Sequence, residues 1–196
     1  MPLEKGVMMR KASFFILGVC LGVTTTAFAQ APPPPPTLDI AGSLKLQHQN
    51  IRRNLAAAAE KMPEAEYNFR PQGAAAEVMT FGQLIAHLVA VNYSYCSSAK
   101  PETSPKHSAN DKEMQPKADL VKMLNEALTY CDAIYDAQTS TSINEMLKRT
   151  GPNNSTLERA RGNSLISNIA HNNEHYGNLV TYLRAKGIVP PSSEAR

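Results

Sequence analysis

Apolar residues recur along this chain at the three- and four-residue spacing of helices, and no segment alternates as a strand would. Over residues 38–61, Ile40, Leu44, Ile51 and Leu55 return on one face, alanines close the segment and Pro63 stops it. The next helix opens at Thr80-Phe-Gly-Gln83, a capping box in which Thr80 and Gln83 satisfy each other's free backbone donors, and it runs to about Ser97. Its core face would carry Phe81, Ile85, Leu88, Asn92 and Tyr95. A polar stretch holding Pro101, Pro105 and Pro116 follows, and then a third helix over 118–136 with Leu120, Met123, Leu124, Leu128 and Tyr135. Residues 140–148 add a short helical turn before a loop at Gly151-Pro-Asn-Asn154. The last helix contains 165–186, with Leu165, Ile169, Tyr176, Val180 and Leu183 as its stripe, and ends at Gly187, a left-handed cap, before Pro190-Pro191. These elements predict an all-α fold, a four-helix bundle. The stretch between the second and third helices is long for an antiparallel turn, so it could cross the bundle and leave those two helices parallel.

The amino terminus changes the picture of charge and location. Lys5, Arg10 and Lys11 precede the apolar run from Phe14 to Val23, and Ala27-Phe-Ala29 fits a small-x-small cleavage site before Gln30. The run is too short to span a bilayer, and Cys20, preceded by Leu17-Gly-Val, makes a poor lipoprotein acceptor. Export to the periplasm or beyond is therefore expected, with cleavage after Ala29. The whole chain has 20 basic and 17 acidic residues; Lys5, Arg10, Lys11 and Glu4 fall in the signal, so 17 against 16 remain. That near-neutral balance, with no basic cluster interleaved with aromatics, argues against a nucleic-acid partner. No second long apolar run follows, so no membrane contact is expected after processing. The domain plan is a signal peptide over 1–29, a proline-rich linker over 30–37, a helical bundle over 38–188 and a tail over 189–196. Pro32 to Pro36 cannot form helix or central strand and read as an extended tether.

The candidate chemistry lies in His171-Asn-Asn-Glu-His175. Histidines four apart stand one turn apart on the same helix face, so both imidazoles can reach one ion. A transition metal at a reactive site is commonly held by three protein ligands. His87, in the apolar stretch from Phe81 to Val91, is the natural third. Solvated polarity alone also produces such a pair. Helical phase places His171 and His175 on the flank of the last helix's stripe with Asn178 and Tyr182, and His87 on the flank of the second helix. Two other readings are weaker. The string is formally the inverted zinc-protease signature with Glu174 as base, but the only acid downstream is Glu194, in the tail. A haem bundle would lack any C-x-x-C-H attachment motif.

Taken together, Glu60-Lys-Met-Pro-Glu-Ala-Glu-Tyr-Asn-Phe-Arg-Pro71, Thr80-Phe-Gly-Gln-Leu-Ile-Ala-His87, the string from His171 to Arg184 and Lys186-Gly-Ile-Val-Pro-Pro-Ser192 carry a likeness. In their order and spacing the chain resembles the DinB/YfiT-like superfamily of metal-dependent proteins, and more closely a secreted branch of it. The resemblance implies a bundle of up-down-down-up topology and a metal triad of one histidine on the second helix and an H-x-x-x-H pair on the fourth. Those positions fall on His87, His171 and His175. It implies a divalent transition metal (zinc, nickel, iron or manganese) without choosing among them. It also implies a small-molecule substrate and either transfer chemistry on a low-molecular-weight thiol or hydrolysis by metal-bound water. An exported protein weakens the thiol reading, because such thiols are mainly cytosolic. A non-catalytic metal-binding or structural bundle is the alternative, and a homodimer is compatible with either. Tyr182 could supply a proton, though a packing role fits it better. If the second and third helices run parallel, Cys96 and Cys131 sit at similar heights, and an oxidising compartment favours a disulfide between them over two buried thiols.

Overall fold

The computed structural model describes residues 38–73, 75–100, 102–150, 153 and 155–194. The signal peptide, the proline-rich linker and most of the loop expected at 151–154 lie outside these residues. Helix α1 (Ile40–Lys61) starts at Asp39, whose carboxylate accepts the Gly42 N–H at 2.7 Å. Helix α2 (Phe81–Ala99) opens with the capping box expected at Thr80 and Gln83. The segment before it completes the cap: Phe81 and Gly82 donate their N–H groups to the carbonyls of Phe69 and Tyr67 at 2.9 and 2.8 Å. Glycine suits this close approach, since a Cβ at Gly82 would stand a tight 3.1 Å from the Tyr67 oxygen. Helix α3 (Lys117–Asp136) begins after Pro116. Helix α4 (Arg161–Ala185) ends in the left-handed glycine expected at Gly187 (φ 71°), with the Ile188 N–H returning to the Leu183 carbonyl at 2.9 Å.

Contacts along the helices fix their directions. Lys45 meets Asp136 at 2.7 Å, and Lys117 donates to the Glu60 carbonyl at 2.8 Å, so α1 and α3 are antiparallel. Gly82 lies beside Leu120 and Cys96 beside Cys131, so α2 and α3 run parallel. Tyr182 reaches the Met79 carbonyl and His175 stands by His87, which makes α4 antiparallel to α2. The bundle is up-down-down-up, with α1 and α2 each packed on both α3 and α4. The long α2–α3 connection is the crossover. It is not loose: Ala109 packs on the core, His107 stacks on Tyr93 at 5.6 Å, and Gln115 braces the turn at Asn110. Cys96, in the last turn of α2, and Cys131, late in α3, are joined by a disulfide, with Cα atoms 5.4 Å apart.

One expectation is overturned. The chain does contain strands, a hairpin of β1 (Met146–Thr150) and β2 (Thr156–Ala160) that leads straight into α4. Only the turn at Ser142–Asn144 is helical in the region read as a helical turn over 140–148. Each strand has a single half-buried leucine, Leu147 or Leu157, among charged residues, so no alternation announces it. Arg161 fastens the hairpin's base by donating to the Ser142 and Ala99 carbonyls and to Glu145.

The core has two apolar parts. The larger gathers Leu55, Phe81, Leu88, Leu124 and Leu179; the smaller holds the disulfide with Ile134, Tyr135 and Leu165. Between them lies a polar layer, Asn92, Asn168 and Asn172, all fully buried. Asn92 and Asn172 exchange amide hydrogen bonds at 3.0 and 2.9 Å, Asn168 donates to the Asn92 oxygen at 3.0 Å, and Tyr135 donates towards Asn168 at 3.0 Å. The buried stripe of α4 is therefore Leu165, Asn168, Asn172, Tyr176, Leu179 and Leu183; Ile169 and Val180 are only half-buried. A second buried polar group, His48 (1% exposed), stacks on Tyr135 at 4.1 Å and bonds Asp132 through Nε2 at 2.8 Å. Its Nδ1 has no hydrogen-bond partner among the described residues. Residues 189–194, read as a tail, are tied down: the Ser192 N–H donates to the Tyr176 hydroxyl at 2.9 Å, and Glu194 pairs with Lys61. Among the described residues no helix is long and apolar enough to cross a membrane.

Candidate metal centre

His87 sits in the second turn of α2, and the i, i+4 pair His171 and His175 sits in the middle of α4, where the two helices run antiparallel. All three are half-buried, with His87 and His171 side chains 22% and 25% exposed. Their Nε2 atoms converge: His171 stands 3.1 Å from His87 and 3.0 Å from His175. Bonds of about 2.0–2.1 Å to one ion would separate ligand nitrogens by about 2.8–3.0 Å at right angles and about 3.3–3.4 Å at tetrahedral angles. Both separations from His171 fall in this range, and the ligand atoms of all three lie within 4.8 Å of one another, so the three histidines are a group that could hold a metal ion.

The outer ring nitrogen of His87 supports the same reading. His87 Nδ1 lies 3.4 Å from the Asp111 carboxylate, and His171 Nδ1 lies 3.8 Å from that of Glu174. His175 Nδ1 instead faces the Asn178 amide nitrogen at 3.4 Å, a donor, so this contact does not hold a proton on Nδ1. The Asp111 carboxylate fixes the proton on His87 Nδ1 and turns its Nε2 lone pair inward, as metal-binding imidazoles are oriented, whereas Glu174 at 3.8 Å is too far from His171 to do the same. Inward lone pairs 3.0–3.1 Å apart repel one another unless a cation stands between them. Burial, and then the neighbouring imidazoles, push His175 down to about 4, and burial with the His87 ring lowers His171 as well. Both rings are therefore unprotonated at neutral pH, the form a metal requires.

The residues singled out in the sequence divide clearly. His87, His171 and His175 come together as expected. Glu174 stays out, its side chain 70% exposed and on the Nδ1 side of His171, away from the point the Nε2 atoms share. Tyr182 is buried, not on the flank with the histidines; its hydroxyl donates to the Met79 carbonyl at 2.8 Å and its ring meets Phe69 edge-on at 5.8 Å. It packs the start of α2. Asp111 went unnoticed in the sequence because nothing in Ser108-Ala-Asn-Asp-Lys112 marks it; the crossover's fold delivers it. Tyr95, expected on the core face, is half-buried with its ring 5.7 Å from that of His171.

A sequence model of the DinB superfamily matches residues 47–179, which span the triad and most of the bundle. The chain belongs to the DinB superfamily. Among solved structures it is similar to a DinB-like protein from Bacillus subtilis, at 19% identity and a TM-score of 0.60, over 79% of this chain and 99% of that one. A DinB-like protein from Bacillus cereus aligns at 16% identity and a TM-score of 0.59, over 78% and 95% of the two chains. A conserved protein from Enterococcus faecalis aligns at 13% identity and a TM-score of 0.52, over 76% and 97%. At these identities the likeness is one of fold. Among curated proteins none matches. Superfamily membership agrees with the up-down-down-up bundle and with a three-histidine group that could bind metal.

Proposed function

We propose that this DinB-superfamily protein is an exported, metal-dependent enzyme of transferase or hydrolase type acting on a small molecule, with His87, His171 and His175 as the metal ligands. The gathering of the three imidazoles around His171 Nε2, with His87 Nδ1 turned towards Asp111, carries the reading. A bound divalent ion (zinc, nickel, iron or manganese) would act as a Lewis acid and make a water or a thiol co-substrate nucleophilic at neutral pH. The chain's own residues set the stage. Asp111 orients the ring of His87. Tyr95 forms one wall beside His171. Among the described residues the ligand group has three members, which leaves coordination positions for reactants and favours catalysis over a closed structural site.

Metal titration of four variants tests this. His87→Ala, His171→Ala and His175→Ala should each lose most of the affinity while keeping the fold, because the rings flank the core. Glu174→Ala should bind as the wild type does. Unaltered binding in His87→Ala would sink the triad, and activity lost in Glu174→Ala would revive a protease. Export is supported by the charged start, short apolar run and small-x-small site over 1–29, and by a disulfide suited to an oxidising compartment. Intact mass of secreted material should begin at Gln30; retention of 1–29 or lipid on Cys20 would refute it.

A further inference from the structure

A cavity of about 310 Å³ opens between the hairpin and the two helices that carry the triad. Arg149 and Arg159 form its hairpin side, and Ser94 and Ser98 of α2 and Ser164 of α4 contribute hydroxyls. No acidic residue lines it. The hairpin's register explains why both guanidinium groups face this way. Lys148 and Glu158 stand opposite each other and pair at 3.3 Å. Arg149 and Arg159 each lie one residue along from that pair, so they share the other face, diagonal to one another and flanked by Leu147 and Leu157. Neither guanidinium group makes a hydrogen bond or ion pair among the described residues, whereas that of Arg161 beside them makes several. Two like charges held side by side without an acid repel each other, and an anion would relieve that repulsion. The start of α4 adds to this: its N-cap, Ala160, supplies no side-chain cap, and Ser164 stands in the first turn.

The cavity also borders the metal centre. Tyr95 lines it and lies 5.7 Å, ring to ring, from His171. Ser164 precedes His171 by seven residues, about 10 Å along the helix. We propose that Arg149 and Arg159 anchor an oxyanion, a carboxylate or phosphate, at one end of a small elongated substrate whose reacting end reaches His87, His171 and His175. Arg forks suit both groups, since each offers paired oxygens. This assignment of substrate class rests on the metal-dependent reading above, but the anion subsite can be measured without metal.

Backbone amide NMR titrations of the purified, metal-free protein with inorganic phosphate and, separately, glutarate are the test. At least one probe should give saturable shifts at the Ser94, Ser98 and Ser164 amides; the tighter of the two identifies the anchored group. Arg149→Gln with Arg159→Gln should weaken that binding about tenfold or more while metal affinity stays at the wild-type level. His171→Ala should do the reverse, losing metal and keeping the anion. Failure of the metal reading would thus show in the metal titrations alone. Absence of saturable shifts with both probes, shifts confined to other surfaces, or equal affinity in the double arginine variant would overturn the proposal.

Discussion

Reduction of the Cys96–Cys131 bridge should cost a large share of this domain's stability. The bridge joins residues 35 apart and closes the whole crossover between two parallel helices. In the chain-entropy model a closed loop of that length removes about 4 kcal/mol of disorder from the unfolded chain. Both sulfurs are fully buried against Ile134, Tyr135 and Leu165, so the reduced thiols can stay packed and the loss reports mainly the cross-link. Urea unfolding of the oxidised protein and of protein unfolded, reduced and refolded under reductant should differ by about this amount. The melting temperature should fall by about 8–16 °C for a chain of this size. Cys96→Ala with Cys131→Ala should be at least as destabilised, since packing is lost too. A difference below about 1 kcal/mol between oxidised and reduced protein would refute the reasoning.

Three further outcomes follow from the polar groups inside and beside the bundle. Asn92→Leu strands the amides of Asn168 and Asn172 and should destabilise by about 3 kcal/mol in urea unfolding, a loss under about 1 kcal/mol counting against the network. Burial holds the His48 imidazole below its ordinary value, so on acidification the unfolded chain takes up a proton that the folded one resists. Stability of the metal-free protein should therefore fall as pH drops below about 6.5, His171 and His175 acting in the same sense. His48→Phe, which keeps the stack on Tyr135, should flatten that slope; an unchanged slope would show that His48 does not contribute. Asp111→Asn should weaken metal binding about tenfold in chelator competition, and no change would show that Asp111 does not orient His87.

What could be read from the sequence followed local rules. The capping box at Thr80 and the glycine cap at Gly187 each depend on a few neighbouring residues, and both stand where expected. The pair His171 and His175 was visible for the same reason, as a one-turn spacing. What was missed depends on distant partners. Asn168 and Asn172 look like surface residues until Asn92 meets them from α2, and this displaced the inferred stripe of α4 from Asn168 and Leu179 to Ile169 and Val180. The hairpin escaped notice because cross-strand pairing and the Arg161 clamp hold it, not an apolar face. Asp111 comes from a connection 24 residues beyond His87, and no local pattern could aim it.

The asparagine layer has a consequence for assembly. Helices joined only by leucines can slide past one another by a turn, about 5.4 Å, and meet a similar surface again. Here such a slip would carry the Asn92 amide away from Asn168 and Asn172 and leave it facing hydrocarbon. The layer therefore works as a key that admits one axial setting of α2 against α4, as a single buried polar residue does in a coiled coil. His87 lies five residues before Asn92, and His171 and His175 flank Asn172. The setting the key admits is thus the one in which three imidazoles face a common point. A misthreaded bundle would lose the gathering of the three imidazoles along with its hydrogen bonds, so a metal-binding assay would also report on correct folding.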